Sequence, residues 1–261
     1  AAYHIAPHVF HELGADVTAI GNLPDGFNIN EGVGATRPAA LQQAVREQGA
    51  MVGVALDGDG DRLVMVDADG TVFDGDQLLY VIACDYAREG QLRGVAGTLM
   101  SNLALERALQ KMGVGFERAK VGDRYVLETL KKNGWVLGGE NSGHILCLHK
   151  HTTGDGIISG LQVLSAMKRS GQSLGQLNRD LKLYPQVLKN VKVPSGFDWE
   201  SAPAIVEAKA RAEQSLGSAG RELLRPSGTE PVLRVMVEAS DAALVSRCVD
   251  QICEAVAAAA H

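Results

Sequence analysis

The sequence predicts α/β layers over about the first 180 residues, followed by a separate small α+β domain. Helix-like segments alternate with short apolar strands up to about residue 180, which is the pattern of stacked α/β layers. From about residue 185 strands and helices are less regularly interleaved, after a connection at Tyr184-Pro185 and before a polar, Pro- and Gly-containing stretch at 194–198. Such stretches interrupt helices and strands, so a domain boundary is expected near residue 185.

The first part of the chain repeats one order of elements, a helix that ends at glycine and then a strand. A helix ending at Gly14 leads into a strand at 16–20, and a helix ending at Gly113 leads into a strand at 114–118. Glycine suits the left-handed residue that ends many helices, so two related α/β units are predicted. Apolar periodicity adds strands at 51–56 and 63–67 and helices at 38–48, 77–88, 103–112, 124–132 and 157–168.

The last part contains three strand-like segments, at 184–193, 222–224 and 232–238, and two helices. The first helix spans 204–216, and the second follows Asp241, a residue type that caps helices. Apolar side chains of the second helix recur at i, i+3 and i+4 and predict a core-facing stripe. These residues are Leu244, Val245, Cys248, Val249, Ile252, Cys253 and Val256.

Composition argues against several classes of partner. The 261 residues have a formal charge of -6, a pI near 5.7 and no run of Lys or Arg, so neither nucleic acid nor an anionic membrane is expected as a partner. No apolar run approaches the roughly 20 residues that span a bilayer. The four cysteines lack C-x-x-C spacing, which favours reduced thiols and a cytoplasmic protein over a disulfide framework or a zinc site.

The loop between the strands at 51–56 and 63–67 carries three aspartates that alternate with glycines. Carboxylates at i, i+2 and i+4 project to one side of an extended or looping backbone, and the glycines let the chain curl around one hard cation. Oxygen ligands with room for a phosphoryl oxygen suit Mg²⁺, so Asp57, Asp59 and Asp61 are predicted ligands. An EF-hand is excluded, because its loop requires Gly at the sixth position and Glu at the twelfth, where this sequence has Arg62 and Ala68. An acidic hairpin without an ion remains the alternative.

A second loop places polar side chains directly after two glycines. Glu140, Asn141, Ser142 and His144 follow Gly138-Gly139, where a tight backbone lets polar groups converge on hydroxyls. A carboxylate that accepts from two neighbouring hydroxyls is suited to a pyranose. An ordinary polar turn fits the spacing equally well, and His144 alone is more typical of a structural residue.

A third loop combines cations, hydroxyls and glycine. Arg225, Ser227, Gly228 and Thr229 lie between strand-like segments, and Arg234 follows in the next strand. A guanidinium, two hydroxyls and backbone N–H groups freed by glycine suit a phosphate dianion. The alternative is an ordinary β-turn with a solvated arginine.

In this order and spacing the three loops resemble those of the α-D-phosphohexomutase superfamily. The segment Lys120-Val-Gly-Asp-Arg-Tyr125 and the Asn141 side chain are similar to its bacterial phosphoglucosamine mutase branch. At the position of the Lys120 segment, phosphomannomutases and phosphoglucomutases more often carry Lys-x-Gly-His. The resemblance covers essentially all 261 residues.

The resemblance implies a four-domain enzyme that interconverts glucosamine 6-phosphate and glucosamine 1-phosphate for UDP-N-acetylglucosamine synthesis, through a phosphoserine and a bisphosphate intermediate. It implies two related three-layer α/β/α domains, the first incomplete at 1–72 and the second at 73–184, and a small α+β domain with an antiparallel sheet at 185–261. By the same resemblance the aspartates hold Mg²⁺, the second loop binds the sugar, and the third loop binds the phosphate that does not react.

Three residues are candidates for chemistry. Arg62 is placed to stabilise the charge of a transferring phosphoryl group. Lys120 or His144 is a candidate general acid or base for the accepting hydroxyl, although Lys120 beside Asp123 equally fits a surface cation.

The sequence departs from the family at its start. The family's phosphoserine lies in a Ser-His-Asn-Pro loop of the first domain, and this motif is absent from residues 1–261. The chain begins Ala-Ala-Tyr-His and runs directly into a helix, so it is expected to start inside the second domain. Weak phosphosugar binding without turnover is therefore expected of this chain, with the missing N-terminal domain as its partner and a homodimer left open.

Two other functions fit the same loops, and a third is disfavoured. A phosphomannomutase or phosphoglucomutase would share them and prefer neutral hexose phosphates. A non-catalytic sugar-phosphate binding module would use them without turnover. A metal-dependent phosphatase is disfavoured, because Asp57 belongs to a ligand-like triplet and no second nucleophile signature accompanies it.

Overall fold

The computed structural model describes residues 1–228 and 230–260, and the α/β class predicted from the sequence is confirmed. The chain forms two compact units. The first comprises Ala1–Ser101 and Leu105–Lys182, and the second comprises Asn102–Ala104 and the residues from Leu183 onward. A division of the first unit at residue 72 stays a prediction.

An antiparallel sheet of three strands opens the first unit, with strand order β1-β2-β3. β1 and β2 form a hairpin whose last facing pair is Leu56 and Leu63, so the loop with the three aspartates projects from one end of the sheet. β2 is buried along its whole length. The elements are α1 (Ile5–Glu12), α2 (Ala39–Gln48), β1 (Val52–Leu56), β2 (Leu63–Asp67) and β3 (Val72–Phe73).

The strand predicted at 16–20 is wrong. This segment has no regular secondary structure, and four of its five residues are exposed. A strand needs a neighbour that satisfies its N–H and C=O groups, and no described strand pairs with these residues. The left-handed glycines predicted at the helix ends are confirmed, with φ +92° at Gly14 and φ +72° at Gly113.

A second, mixed sheet with strand order β5-β4-β6-β7 completes the first unit. β4 runs parallel to β5 and β6, and β7 is antiparallel at one edge. Its elements, with the helices around it, are α3 (Gly75–Arg88), β4 (Gly94–Thr98), α4 (Leu103–Lys111), β5 (Gly115–Ala119), α5 (Asp123–Asn133), β6 (Leu137–Gly139), β7 (Ile145–Cys147), α6 (Gly156–Ser170) and α7 (Leu174–Leu177).

Helices cover both faces of this second sheet. Leu146 packs with Val126 and Leu130 of α5, whereas the neighbouring Cys147 meets the Tyr86 side chain of α3. Because successive strand residues point to opposite faces, α5 and α3 lie on opposite sides of the sheet. The result is the three-layer α/β/α arrangement predicted for this region.

The second unit is an antiparallel sheet of three strands with two long helices on one face. The strand order is β8-β10-β9, and Val235 and Val237 of β10 pack with Val249 and Ile252 of the last helix. The elements are β8 (Gln186–Lys192), α8 (Pro203–Leu216), β9 (Gly220–Pro226), β10 (Val232–Ala239) and α9 (Ala242–Ala259).

The predicted cap and apolar stripe of α9 are confirmed. The Asp241 side chain accepts hydrogen bonds from the backbone N–H groups of Ala243 and Leu244. Five stripe residues are buried, and the other two pack partly buried against the same core.

The four cysteines are free thiols, and burial raises the pKa of the Cys147 thiol to about 11. Within the described residues, no helix is long and apolar enough to cross a membrane.

Truncation of the stripe tests the core of the second unit. Ile252→Ala removes a side chain with no exposed surface, and its loss should lower the free energy of unfolding of this unit by about 2–4 kcal/mol. Urea titration followed by the fluorescence of Trp199, which packs against this core, measures the change. The exposed Gln251→Ala on the same helix is the control and should stay within about 0.5 kcal/mol of the unsubstituted chain. A loss below about 1 kcal/mol for Ile252→Ala would contradict the assigned core.

Candidate metal centre and anion site

The three predicted metal ligands converge in the loop between β1 and β2. One carboxylate oxygen of each of Asp57, Asp59 and Asp61 lies within 4.8 Å of the other two. Gly60 makes the turn with φ +78°, a conformation that glycine adopts readily. The N–H groups of Gly60 and Arg62 donate to Asp57 Oδ1 at 3.1 and 3.2 Å. These bonds fix the orientation of the Asp57 carboxylate.

The electrostatics of this cluster fit a hard divalent cation. Burial, followed by the nearby Asp57 carboxylate, raises the pKa of Asp61, while His144 and Arg62 act in the opposite direction. Asp61 Oδ1 is buried and has no hydrogen-bond partner among the described residues. A buried acceptor without a partner is uncommon, and a cation bound by oxygen ligands would satisfy it and offset the repulsion between the carboxylates.

His144 lies beside the aspartate loop. Its side chain is buried, and its Nε2 atom is 3.5 Å from Asp61 Oδ2. The backbone joins the two loops as well, since Arg62 and His144 form an isolated antiparallel bridge and Leu63 N–H donates to Gly143 C=O at 3.0 Å. The structure therefore brings together the glycine-rich second loop and the aspartate loop between β1 and β2, which we call the metal loop. The role of His144 as an acid or base stays a prediction.

Glu140 and Asn141 of the second loop are held by two different segments of the first unit. Glu140 Oε1 accepts a hydrogen bond from Gly122 N–H at 2.9 Å, and Asn141 C=O accepts from Gly75 N–H at 3.1 Å at the start of α3. Ser142 is exposed. The hydrogen bond to Oε1 thus orients the Glu140 carboxylate. The other oxygen, Oε2, has no hydrogen bond among the described residues.

The two predicted catalytic cations, Arg62 and Lys120, are exposed. Arg62 Nε is 3.6 Å from Asp57 Oδ2, and 49% of its side chain is accessible, so it can turn towards an anion at small cost. Lys120 Nζ lies 5.8 Å from the centroid of the Tyr125 ring. Lys120 and Tyr125 line an open groove of about 470 Å³ between β5 and α5.

The predicted phosphate loop belongs to the second unit. Arg225 of β9 and Arg234 of β10 face each other across the two strands, and the Nε atom of each is buried with no hydrogen-bond partner among the described residues. Arg234 Nη2 donates to Ser227 Oγ at 3.3 Å. Burial and then the charge of Arg234 lower the pKa of Arg225. Like charges placed opposite each other destabilise a sheet, so this pair fits a bound anion.

Of the last two predicted phosphate ligands, the structure describes only Gly228. Gly228 is exposed, and an added Cβ atom would meet none of the described residues within 4 Å beyond its chain neighbours, so the backbone here is open to a ligand. Thr229 lies outside the described residues.

Sequence reasoning missed the residues that connect the loops. Gly122 belongs to the segment that resembles the family, but its local sequence does not predict the N–H contact with Glu140. The backbone bridge between Arg62 and His144 joins residues far apart in the chain, and nothing in either local sequence indicates it.

Comparison with known proteins identifies relatives of both units. Residues 74–184 match the phosphoglucomutase/phosphomannomutase family model of α/β/α domain III, and residues 188–255 match its C-terminal domain. A phosphoglucosamine mutase of Azoarcus sp. is 62% identical over 98% of this chain and 57% of its own length. The chain therefore spans just over half the length of this curated relative.

Solved structures share the fold. A phosphoglucomutase/phosphomannomutase family protein from Burkholderia thailandensis superposes with a TM-score of 0.81 at 24% identity, over 99% of this chain and 58% of that chain. An N-acetylphosphoglucosamine mutase of Aspergillus fumigatus, in complex with GlcNAc-6P and magnesium, superposes with a TM-score of 0.67 at 20% identity, over 87% of this chain and 57% of that chain.

The arginine pair should make the stability of the second unit depend on phosphate. Inorganic phosphate at about 100 times its dissociation constant should stabilise this unit by about 2.7 kcal/mol, measured as a rise in the melting temperature relative to NaCl of equal ionic strength. Arg234→Gln should abolish the rise. It should also maintain or increase the stability without phosphate, because it removes the repulsion with Arg225.

The control for this measurement is Arg211→Gln, which replaces an exposed arginine of α8 paired with Glu207. It should keep the full response to phosphate. Equal responses of Arg234→Gln and Arg211→Gln would show that phosphate acts through general screening and not at the paired arginines.

Proposed function

Because this chain belongs to the phosphoglucomutase/phosphomannomutase family, we propose that the whole protein is a phosphoglucosamine mutase. It interconverts glucosamine 6-phosphate and glucosamine 1-phosphate through a phosphoserine and a bisphosphate intermediate. The observation that carries the proposal is the convergence of the Asp57, Asp59 and Asp61 carboxylates, within a chain that is 62% identical to a phosphoglucosamine mutase.

Asp57, Asp59 and Asp61 hold Mg²⁺ in this proposal. The donor set supports it, because three carboxylate oxygens leave coordination positions open for phosphoryl oxygen and water. Bound by these residues, Mg²⁺ would neutralise negative charge on a transferring phosphoryl group. The magnesium complex of the Aspergillus fumigatus relative agrees with this choice of metal.

Sugar and phosphate are bound by different loops. Glu140, Asn141 and Ser142 bind the sugar hydroxyls, and the orientation of Glu140 by Gly122 N–H supports its part. Arg225, Ser227, Gly228, Thr229 and Arg234 bind the phosphate that does not react. The unpartnered Nε atoms of the two arginines support this assignment, since a phosphate dianion accepts several charge-assisted hydrogen bonds.

The remaining groups act on the reacting phosphoryl group and the accepting hydroxyl. Arg62 turns from Asp57 to the phosphoryl oxygens, and its exposed side chain supports this movement. Lys120 is the better candidate for the proton transfer, because it is exposed. The burial of His144 and its 3.5 Å separation from Asp61 favour a role in holding the metal ligand.

These 261 residues alone bind phosphosugar without turnover in this proposal, because they contain no Ser-His-Asn-Pro nucleophile loop. In that respect the chain by itself behaves as a sugar-phosphate binding module. The preference for an amino sugar over neutral hexoses rests on the identity to phosphoglucosamine mutases.

A coupled assay for conversion of glucosamine 1-phosphate to the 6-phosphate, with Mg²⁺ and a bisphosphate activator, tests the function. It is run on this chain and on the chain extended by the N-terminal region that its longer relatives carry. Turnover is expected only in the extended protein. Asp59→Ala there should reduce kcat/KM by at least about 100-fold, because several kcal/mol of charge stabilisation are lost.

Asp16→Ala, which replaces an exposed aspartate outside the loops, is the control and should keep full activity. Turnover by the short chain would contradict the assignment of the nucleophile to a region outside these 261 residues. A preference of the extended protein for mannose 1-phosphate or glucose 1-phosphate would instead indicate a neutral-hexose mutase.

A further inference from the structure

One residue near the metal loop has an unusual backbone. Asn30 has φ +58° and is the only non-glycine residue with positive φ among the described residues. Residues other than glycine rarely adopt this left-handed backbone conformation, although asparagine tolerates it better than most. Asn30 is also exposed, so burial of its side chain in the core does not account for the conformation.

Asn30 belongs to a loop that is fastened to the end of β1. Ala35 N–H donates to the carbonyl of Leu56, the last residue of β1, at 3.0 Å. Asp57 comes directly after Leu56. The loop of residues 28–35 therefore lies against the backbone that leads into the metal loop.

The Asn30 carboxamide lies between two glycines, one of which is inside the metal loop. A Cβ atom on Gly58 would stand 3.4 Å from Asn30 Nδ2 and only 2.4 Å from Ile29 Cδ1. A Cβ atom on Gly34 would stand 3.1 Å from Asn30 Oδ1 and 2.9 Å from Leu56 C=O. Gly58 separates Asp57 from Asp59, so Asn30 and Ile29 pack directly on the segment that presents two of the three carboxylates.

Uncommon backbone conformations persist only where the surroundings impose them, and they concentrate at functional sites. Here the left-handed turn at Asn30 places the carboxamide against Gly58. The carboxamide carries no charge, so its packing on Gly58 adds no further repulsion to the three carboxylates.

We propose that Asn30 is a positioning residue of the metal loop, which it holds in the conformation that brings the three carboxylates together. The inference rests on the cation site of the proposed function. It adds a residue, outside all three loops, whose contribution acts through the backbone at Gly58.

Calorimetric titration of this chain with Mn²⁺ tests the proposal, together with the melting temperature of each metal-free variant. Asn30→Gly removes the carboxamide but keeps the left-handed backbone accessible. It should weaken Mn²⁺ binding by about tenfold, the lower end of the effect of groups that orient metal ligands, with little change in the metal-free melting temperature. Asn30→Ala should weaken binding at least as much and also lower the melting temperature, because alanine disfavours positive φ.

The control is Asn28→Ala in the same loop. The Asn28 carboxamide bonds to Leu23 C=O and Asp25 N–H and not to the metal loop, so its loss should leave Mn²⁺ affinity within about twofold, as expected for a group that does not orient a metal ligand. Unchanged affinity in Asn30→Gly, or equal losses in Asn30→Gly and Asn28→Ala, would overturn the proposal. Absence of Mn²⁺ binding by the unsubstituted chain would overturn the cation site itself, and the inference with it.

Discussion

Repulsion between the three carboxylates of one short loop is the constraint on which the candidate site depends. Their oxygens lie within 4.8 Å of one another, and two unit charges at 4 Å repel by about 1 kcal/mol in water and about 4 kcal/mol near a protein surface. Against a total stability of about 5–15 kcal/mol for a domain, this is a substantial cost. The loop keeps its shape because hydrogen bonds to Asp57, the His144 contact and packing on Gly58 hold it.

The second unit shows the same principle with the opposite sign. Arg225 and Arg234 stand opposite each other on neighbouring strands, with buried nitrogen atoms that lack partners in the described part of the chain. The hydrophobic core on the other face of this sheet stabilises the strands in spite of the repulsion. The charge pattern of one unit therefore suits a cation, and that of the other unit suits an anion.

Much of this arrangement follows from local sequence. Alternating aspartate and glycine predicts the convergence of carboxylates, because both the direction of the side chains and the freedom of the backbone are local properties. The same holds for the left-handed glycines at helix ends and for the Asp241 cap. The amphipathic stripe of α9 was predictable because its period alone defines the buried face.

Features that depend on distant partners were not predictable in this way. The segment 16–20 resembles a strand in composition, yet a strand exists only if a neighbour pairs with it. The Arg62–His144 bridge and the contact of Gly122 with Glu140 join residues whose proximity is set by the stacking of sheets and helices. Asn30 carries no sequence signal of its left-handed backbone, because asparagine is common in turns of every kind.

The location of a bound metal ion tests the central claim most directly. A crystal of this protein grown with Mn²⁺, with diffraction measured at the manganese absorption edge, reveals the ion by its anomalous scattering. The account predicts an anomalous peak within about 2.0–2.5 Å of one carboxylate oxygen from each of Asp57, Asp59 and Asp61. A peak elsewhere with none at these carboxylates, or no peak when the loop is well ordered, would contradict it.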